Sequence, residues 1–212
     1  EKITKNINPS YGSIQALKSR NNNIVVFSED KVLKVLANKD AVFNADGNPQ
    51  LVATNRVLGD ATPYAGDYGI SNNPESLASD SYRLYFTDKQ RGAVLRLSMD
   101  GLTPISDVSM RTYFRENLKL CDSLVGTFDG VNGEYNLSLN YKEEHQKQNL
   151  SVSFNEGSKG WVSFKSFVPS AGLTVAGKYI TSPSQTTGSQ DTISKMNKVY
   201  VHDDDTAGRN NF

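Results

Sequence analysis

One pattern recurs along this chain and constrains its fold more than any other feature. A short apolar strand ends in phenylalanine, a polar turn follows, and a second alternating strand leads away from it. The phenylalanines that flank these turns are Phe27, Phe86, Phe128 and Phe154. Apolar residues at every second position are typical of strands, and Asp-Gly turns supply the positive φ that tight hairpins need. The pattern predicts an all-β chain of antiparallel hairpins.

The arrangement of the hairpins leaves two architectures open. The last two hairpins, 123–141 and 149–167, are joined by a charged loop and fit one blade of a propeller, while residues 82–106 fit the start of another. Blades of propellers repeat at roughly 40–50 residues, whereas the phenylalanines here are unevenly spaced. We expect propeller-like blades with insertions, and a β-sandwich is the alternative.

In residues 107–120 the spacing of apolar residues changes from every second position to every third or fourth. Apolar side chains there recur three and four residues apart, at Met110, Tyr113, Phe114 and Leu118. This spacing predicts one short amphipathic helix, with Ser106 or Asp107 as its N-cap.

Two stretches lack a regular pattern. Residues 38–81 contain strong turn signals, among them Ala45–Pro49 and Thr62–Gly69, and residues 170–197 are rich in Ser, Thr, Gly and Gln. Both are predicted to be long loops. The chain starts with Glu rather than Met, so we interpret residues 1–212 as a single β-rich module that is a fragment of a longer polypeptide.

The composition bears on the classes of partner. The 212 residues carry 23 basic and 23 acidic side chains, so no net charge attracts nucleic acid or an anionic membrane surface. The longest apolar runs fall far below the roughly 20 residues that span a bilayer. One cysteine, Cys121, excludes an internal disulfide.

The ionisable residues do not form a recognisable reaction centre. His202 precedes Asp203–Asp205, but consecutive residues of an extended chain point to alternate faces, which favours an acidic turn over a metal site. Four carboxylates that a glycosidase could use all lie in or beside turns, where such residues are expected anyway: Asp88, Asp100, Glu134 and Glu156. The sequence therefore predicts no catalytic residue, no cofactor and no metal.

Aromatic residues are the candidates for a contact surface. Tyr64 and Tyr68 lie among glycines and a proline, and Tyr85 and Trp161 lie on predicted strands. Strand alternation predicts that Val162 and Phe164 share the face opposite Trp161. We predict a contact surface that includes Tyr64, Tyr68, Tyr85 and Trp161, while packing in the core and a sugar-binding shelf remain open as alternatives.

Several segments resemble a known family. Residues 85–106, together with 27–35 and 160–167, are similar to segments of large virion structural proteins of tailed bacteriophages, in particular the propeller-bearing tail, nozzle or muzzle components. The likeness extends over roughly 13–37, 60–170 and His202–Asp205. It implies no catalytic residues.

The resemblance implies a structural component of a phage tail or portal-proximal assembly that acts through protein–protein contacts. The implied partners are other virion tail proteins and further copies of the chain, in a particle assembled in the bacterial cytoplasm. No membrane is implied, and DNA contact is expected only if the chain lines a channel. A receptor- or carbohydrate-binding tail module that contacts a host surface glycan is one alternative, and a polysaccharide hydrolase is another.

Overall fold

The computed structural model describes residues 4–20, 23–43, 49–183 and 199–202, and their regular structure is dominated by antiparallel sheets. This confirms the all-β prediction. The chain forms two compact units, Glu1–Pro74 and Glu75–Phe212. A single module over 1–212 stays a prediction.

The first unit is built on one four-stranded sheet. Its strands pair in chain order, β1 to β4. They are β1 (Ile14–Arg20), β2 (Asn23–Ser28), β3 (Val32–Phe43) and β4 (Pro49–Pro63). Strand β2 is buried on both faces, because the neighbouring residues Val25, Val26 and Phe27 are each at most 4% exposed. The predicted hairpin that turns after Phe27 is the β2–β3 pair.

The predicted loop over 38–81 is wrong for much of its length. Strand β3 continues to Phe43, and β4 runs for 15 residues. Register shifts between Val35 and Lys39 interrupt the β3–β4 pairing, and such irregularities separate this pair from the regular hairpins that a sequence pattern predicts. Backbone hydrogen bonds form regardless of that pattern. Most of the predicted turn Ala45–Pro49 lies outside the described residues.

The described residues of the second unit form three sheets. The second sheet comprises β5 (Ala78–Ser79), β6 (Leu84–Asp88), β7 (Ala93–Ser98) and β8 (Gly101–Pro104). The third comprises β9 (Cys121–Asp129), β10 (Glu134–Tyr141), β11 (Leu150–Asn155) and β12 (Gly160–Lys165). The fourth comprises β13 (Pro169–Val175), β14 (Lys178–Pro183) and β15 (Tyr200–Val201). In each sheet the strands pair in chain order, and the predicted hairpins at Phe86, Phe128 and Phe154 are present.

The predicted helix is present but shorter than 107–120. Helix α1 covers Arg111–Asn117, between single turns of 3₁₀ helix at Ile105–Asp107 and Leu118–Leu120. Its N-cap is Met110 rather than Ser106 or Asp107. Ser109 adopts a left-handed φ of 62°, which prevents one continuous helix from running through this point.

The predicted loop over 170–197 is wrong at its start. Strands β13 and β14 form a hairpin whose two turn residues, Ala176 and Gly177, have φ values of 49° and 74°. Positive φ at both positions is the type I′ geometry that closes two-residue hairpins. The hairpin lacks a marked apolar pattern because its inward side chains, Tyr179 and Thr181, pack on polar groups. Residues 184–198 lie outside the described part.

The third sheet is covered on both faces. Its apolar face packs with Phe114 of α1 in a buried cluster that includes Tyr135, Leu137, Leu139, Val152 and Phe154. Its opposite face is buried but polar. There Ser138 and Ser151 hydrogen-bond at 2.7 Å, and the Tyr179 hydroxyl lies 2.7 Å from Thr127 Oγ1. Strand β14 therefore packs on the third sheet through hydrogen bonds.

Candidate functional site: a charged cleft in the second unit

Glu156 is the centre of a charged cluster in the second unit. It lies just after β11, and its side chain is 13% exposed. The Tyr85 hydroxyl donates to Glu156 Oε1 at 2.6 Å, and Arg96 Nη1 lies 3.1 Å from Oε2. Arg83 Nε approaches Oε2 at 3.4 Å. One carboxylate thus gathers three donors from the second sheet.

The strand register explains why the donors converge. Tyr85 of β6 pairs with Arg96 of β7, and paired residues of antiparallel strands project from the same face. Arg83 precedes β6 and is also held by Asp80, whose Oδ2 lies 3.1 Å from Arg83 Nη1. The second sheet therefore presents two guanidinium groups and one phenol toward the β11–β12 turn.

An open cleft of about 640 Å³ surrounds this cluster. Its lining combines charged groups, among them Arg83, Arg96 and Glu156, with exposed apolar side chains. Tyr82 is 71% exposed, Met99 is 86% exposed and Val108 is 42% exposed. The volume falls within the range of about 300–1,000 Å³ that is typical of small-molecule sites.

Tyr85 is a neutral donor in this cluster. Burial, followed by its hydrogen bond to Glu156 and the charge of that carboxylate, raises the pKa of Tyr85 far above its ordinary value. Its ring stacks on Tyr135 at 4.9 Å and on Phe128 at 5.6 Å. The hydroxyl is therefore held in a fixed position, stays protonated and donates a hydrogen bond to Glu156.

Arg96 has unused hydrogen-bonding capacity. Its Nε is buried and finds no acceptor within the part of the chain that the structure describes. An unpaired buried N–H is uncommon in native proteins and often marks a place where water or a ligand binds.

Two of the aromatic residues predicted for a contact surface belong to the second unit. Tyr85 is fully buried and presents no ring surface to a partner. Trp161 is half-buried, and its Nε1 donates to the Ile105 carbonyl at 3.0 Å. The Trp161 ring packs 4.5 Å from Phe114 and 5.3 Å from Phe154, so most of its contacts are with the core.

The other two aromatic residues belong to the first unit. Tyr64 and Tyr68 are both partly exposed. Burial raises the pKa of Tyr64. The loop between them is fixed by Lys31, whose Nζ donates to the Gly66 carbonyl at 2.8 Å and to Asp67 at 2.9 Å. The predicted contact surface of Tyr64, Tyr68, Tyr85 and Trp161 stays a prediction, to which the buried Tyr85 contributes no exposed ring.

The sequence did not point to the cleft itself. The signal it offered was Arg96, a lone cation in the otherwise apolar strand Ala93–Leu97. Its partner is 60 positions away, a distance over which no local pattern extends. Tyr82 lies before the start of β6, and its exposure follows from the structure alone.

Three of the four candidate carboxylates, Asp88, Glu134 and Glu156, pair with basic side chains. Glu134 Oε2 lies 2.6 Å from Lys165 Nζ, and the buried Asp88 pairs with Arg91 at 3.0 Å. Within the described ranges, no three His, Cys, Asp or Glu side chains are placed to hold a metal ion. The carboxylates Asp203–Asp205 lie outside those ranges. His202 Nε2 lies 2.8 Å from Thr181 Oγ1.

A second candidate surface lies on the fourth sheet. Leu173, Ile180 and Val201 are paired across its three strands, and Val175 follows Leu173 on the same side. Leu173 is 54% exposed, Val175 50% and Val201 40%. We call these four residues the outer face. The opposite side of the sheet carries Tyr179, which is 1% exposed.

Comparison with known protein families gives a match over most of the chain. The model of the Crassvirus muzzle protein family matches residues 4–185. The chain belongs to this family. Members of the Crassvirus muzzle protein family are structural components of a phage virion, and the chain is therefore a virion structural protein. No match was found among the curated proteins.

Among the described residues, no helix is both long enough and apolar enough to cross a bilayer.

Proposed function

We propose that this muzzle-family chain is a tail component that works through protein–protein contacts rather than catalysis. The observation that carries the proposal is the family match over residues 4–185. The described ion pairs support it, because Glu134 and Asp88, two of the carboxylates that a hydrolase could use, are each bound to a basic side chain.

A propeller-like architecture is part of the proposal. Three of the sheets are four-stranded antiparallel meanders with strands in chain order, which is the construction of a propeller blade. The fourth repeats the order with three strands in the described residues. This regularity favours blades over the sandwich alternative, in which strands commonly cross between sheets.

Assembly into the tail in the bacterial cytoplasm, beside other tail proteins, is the cellular setting that we propose. Cryo-electron microscopy of the phage particle tests it. Density at the tail that fits the two units supports the proposal, and density confined to the capsid shell contradicts it.

The outer face is the surface that we propose for self-association. Contiguous exposed apolar side chains mark interaction sites, and large oligomers are most often built from identical copies. Leu173, Ile180 and Val201 form an uncharged strip across the three strands, and Lys178, which pairs with Val175, lies at the edge of this strip, where a charge can stay in contact with water.

Analytical ultracentrifugation over a range of concentrations tests the association. We expect a reversible oligomer that the substitution Leu173→Lys abolishes, because it would bury an unpaired ammonium group in the contact. Val131→Lys is the matched control, since Val131 is 50% exposed in the β9–β10 turn. A monomer at every concentration, or equal effects of both substitutions, contradicts self-association through the outer face.

A further inference from the structure

We propose that an extended peptide segment of another tail protein binds in a cleft between strands β5 and β13, where it adds a strand to the fourth sheet. The inference rests on the proposed function in protein–protein contacts, and it concerns a surface other than the outer face. The cleft lies within the second unit, has a volume of about 440 Å³ and is lined by β5, β9 and β13. In the described residues these are the first strands of the three sheets of that unit, and each lies at the edge of its sheet.

Strand β13 has open backbone groups along its free edge. A two-residue turn is closed by a hydrogen-bonded pair, here Val175 and Lys178, and such pairs alternate along an antiparallel ladder. The N–H and C=O groups of Thr174 and Gly172 therefore point away from β14. Among the described residues these groups form no hydrogen bond. Both residues line the cleft, and Thr174 is exposed.

Strand β5 presents further open backbone groups from another wall of the cleft. The Asp80 N–H donates to the Arg83 carbonyl at 3.0 Å, so the hydrogen bonds to β6 fall at Asp80 and not at its neighbour Ser79. The Ser79 N–H and C=O groups point away from β6, and they have no partner in the described part of the chain. Ser79 is exposed and lines the cleft. Open groups from two sheet edges thus border one cavity.

The pattern of these groups fits an extended peptide. Gly172 and Thr174 are two residues apart, so their N–H and C=O groups recur at about 6.8 Å, the repeat of an antiparallel strand. A peptide in the same conformation offers donors and acceptors at the same repeat. Edge strands usually carry charges or prolines that prevent such pairing, whereas the segment 171–175 contains neither. Addition of a strand to an open edge is a common mode of peptide recognition.

The size of the cleft favours a single segment over the edge of a second folded copy. One residue of a strand in a packed sheet occupies roughly 160 Å³, given a rise of about 3.4 Å, a strand spacing of about 4.8 Å and a sheet spacing of about 10 Å. The cleft therefore accommodates about three residues, as many as β13 contributes to its lining. The edge of a folded copy brings its neighbouring strands with it, and these exceed the cleft.

The lining determines which side chains the segment can carry. The part contributed by β9 includes Gly126 and Gly130, which leave room for an incoming chain. Among the described lining residues only Asp80 is charged, and it pairs with Arg83 at 3.1 Å. A charged side chain would therefore lose water in the cleft without gaining a partner. We expect a segment of uncharged, small or β-branched residues.

Nuclear magnetic resonance on the full 212-residue chain tests the inference. The probe is the acetylated and amidated peptide Thr-Val-Thr-Val-Thr. We expect saturable shifts of the amide signals of Ser79, Gly172 and Thr174, and slower hydrogen exchange at the same amides. Because only about three residues pair, the expected Kd is about 1 mM, and the titration extends to about 10 mM.

Two pairs of variants remove the open N–H groups from the protein. Thr174→Pro should weaken binding at least about fivefold, which is the loss of one backbone hydrogen bond, whereas Thr174→Val keeps the N–H and should bind like the unmodified chain. Both substitutions remove the hydroxyl that accepts from the Gly130 N–H at 2.8 Å, so their difference reports on the backbone group. Ser79→Pro and Ser79→Ala form the second pair, with the same expectation. Circular dichroism checks that each variant folds.

A control on the side of the peptide leaves the protein unmodified. N-methylation of the two valines, or of the three threonines, removes the N–H groups along one edge of the peptide strand and keeps every side chain. At least one of the two methylated peptides should lose binding, and this result decides the matter if Thr174→Pro does not fold.

Three results would overturn the proposal: no saturable shift up to about 10 mM peptide, equal binding by Thr174→Pro and Thr174→Val, or unchanged binding of both methylated peptides. Slow exchange of the Gly172 and Thr174 amides in the free chain would also do so, because the edge would then be covered already. Equal binding by Ser79→Pro and Ser79→Ala would contradict the part given to β5. The outer face is tested separately, since self-association depends on the Leu173 side chain and not on these backbone groups.

Discussion

Glu156 shows how a single side chain organises its surroundings in the second unit. It accepts from Tyr85 and Arg96 and pairs with Arg83, so a carboxylate that is only 13% exposed has its charge balanced and its oxygens occupied. A buried carboxylate without such partners would cost several kcal/mol. The cluster therefore fixes the β11–β12 turn against the second sheet.

The Tyr85 hydroxyl is the most testable part of this cluster. Tyr85→Phe keeps the stacked ring but removes the 2.6 Å hydrogen bond to Glu156. We expect the free energy of unfolding to fall by about 2 kcal/mol, since hydrogen bonds to charged groups contribute about 1.5–3 kcal/mol. Urea unfolding of the two proteins measures the difference.

Tyr82→Phe is the control for Tyr85→Phe. It removes a hydroxyl from the same kind of side chain at a position that is 71% exposed, and it should change the stability by less than about 0.5 kcal/mol. Equal stabilities of Tyr85→Phe and the unmodified chain would contradict the role given to the hydroxyl.

The sequence predicted little about the burial of individual side chains. It indicated that Tyr85 and Trp161 are important aromatic residues, but not whether they are exposed. Burial is decided by partners far along the chain: Tyr85 stacks on Tyr135, and Trp161 packs on Phe114. Local patterns contain no information about such pairs, so a predicted contact residue can equally be a core residue.

Strand β9 lies unusually close to the backbone of Ser76, two residues before β5. Gly126 of β9 faces the Ser76 carbonyl group, and a methyl group on Gly126 would overlap that oxygen. The same Ser76 carbonyl accepts from the Tyr135 hydroxyl at 2.9 Å. Glycine is needed where two backbones come this close.

Gly126→Ala tests this contact. Because the obstructing atom belongs to the backbone, relief requires a strand to shift, and we expect a loss of at least about 3 kcal/mol in the free energy of unfolding. Thermal and urea unfolding measure it.

Gly160→Ala on β12 is the comparison for Gly126→Ala. An added methyl group there would meet its nearest neighbour, the Ser158 carbonyl oxygen, at 3.8 Å, which is an ordinary contact. It should be nearly neutral, and similar losses for the two substitutions would show that the approach of β9 is not tight.

The elements were predicted better than the individual residues. The hairpins follow from alternation and Asp-Gly turns, both of which are local. Strand β12 shows where alternation misleads: a bulge pairs Trp161 with Phe154 and Phe164 with Val152, so Trp161 and Phe164 project from the same face and not from opposite ones. An inserted residue leaves no mark in the sequence that distinguishes it from regular strand.

At the scale of the whole molecule, the stability of the second unit should be sensitive to alkaline pH, because that unit buries several tyrosine hydroxyls and one thiol. Burial raises the pKa of Cys121 to about 12. Burial likewise raises the pKa values of Tyr85, Tyr113, Tyr135, Tyr141 and Tyr179. All these groups are neutral when protonated, so the folded unit retains protons that the unfolded chain releases.

The sign of the pH effect follows from this difference. The stabilisation is complete below the ordinary pKa values, about 8.5 for cysteine and 10 for tyrosine, and is lost as the pH rises toward the folded-state values. We expect the free energy of unfolding to decrease above about pH 9, by up to about 1.4 kcal/mol per pH unit for each phenol. Urea unfolding at a series of pH values measures the slope.

Tyr141→Phe should make the slope shallower, because it removes one buried phenol. Phenolate absorbance that appears well before unfolding would contradict the explanation, since it would show that the phenols ionise in the folded state.

The polar joint between β14 and the third sheet has a mechanical consequence. A hydrogen bond such as that between Tyr179 and Thr127 forms only within a narrow range of distance and angle, and so at one alignment of the two elements. Displacing β14 by one residue would break the hydrogen bond between Tyr179 and Thr127 and the one that Asn136 Nδ2 donates to the Tyr179 hydroxyl, and both would be lost in a buried environment. The contact between β14 and the third sheet should therefore resist displacement along the strands. When it breaks, its hydrogen bonds should be lost together rather than one by one.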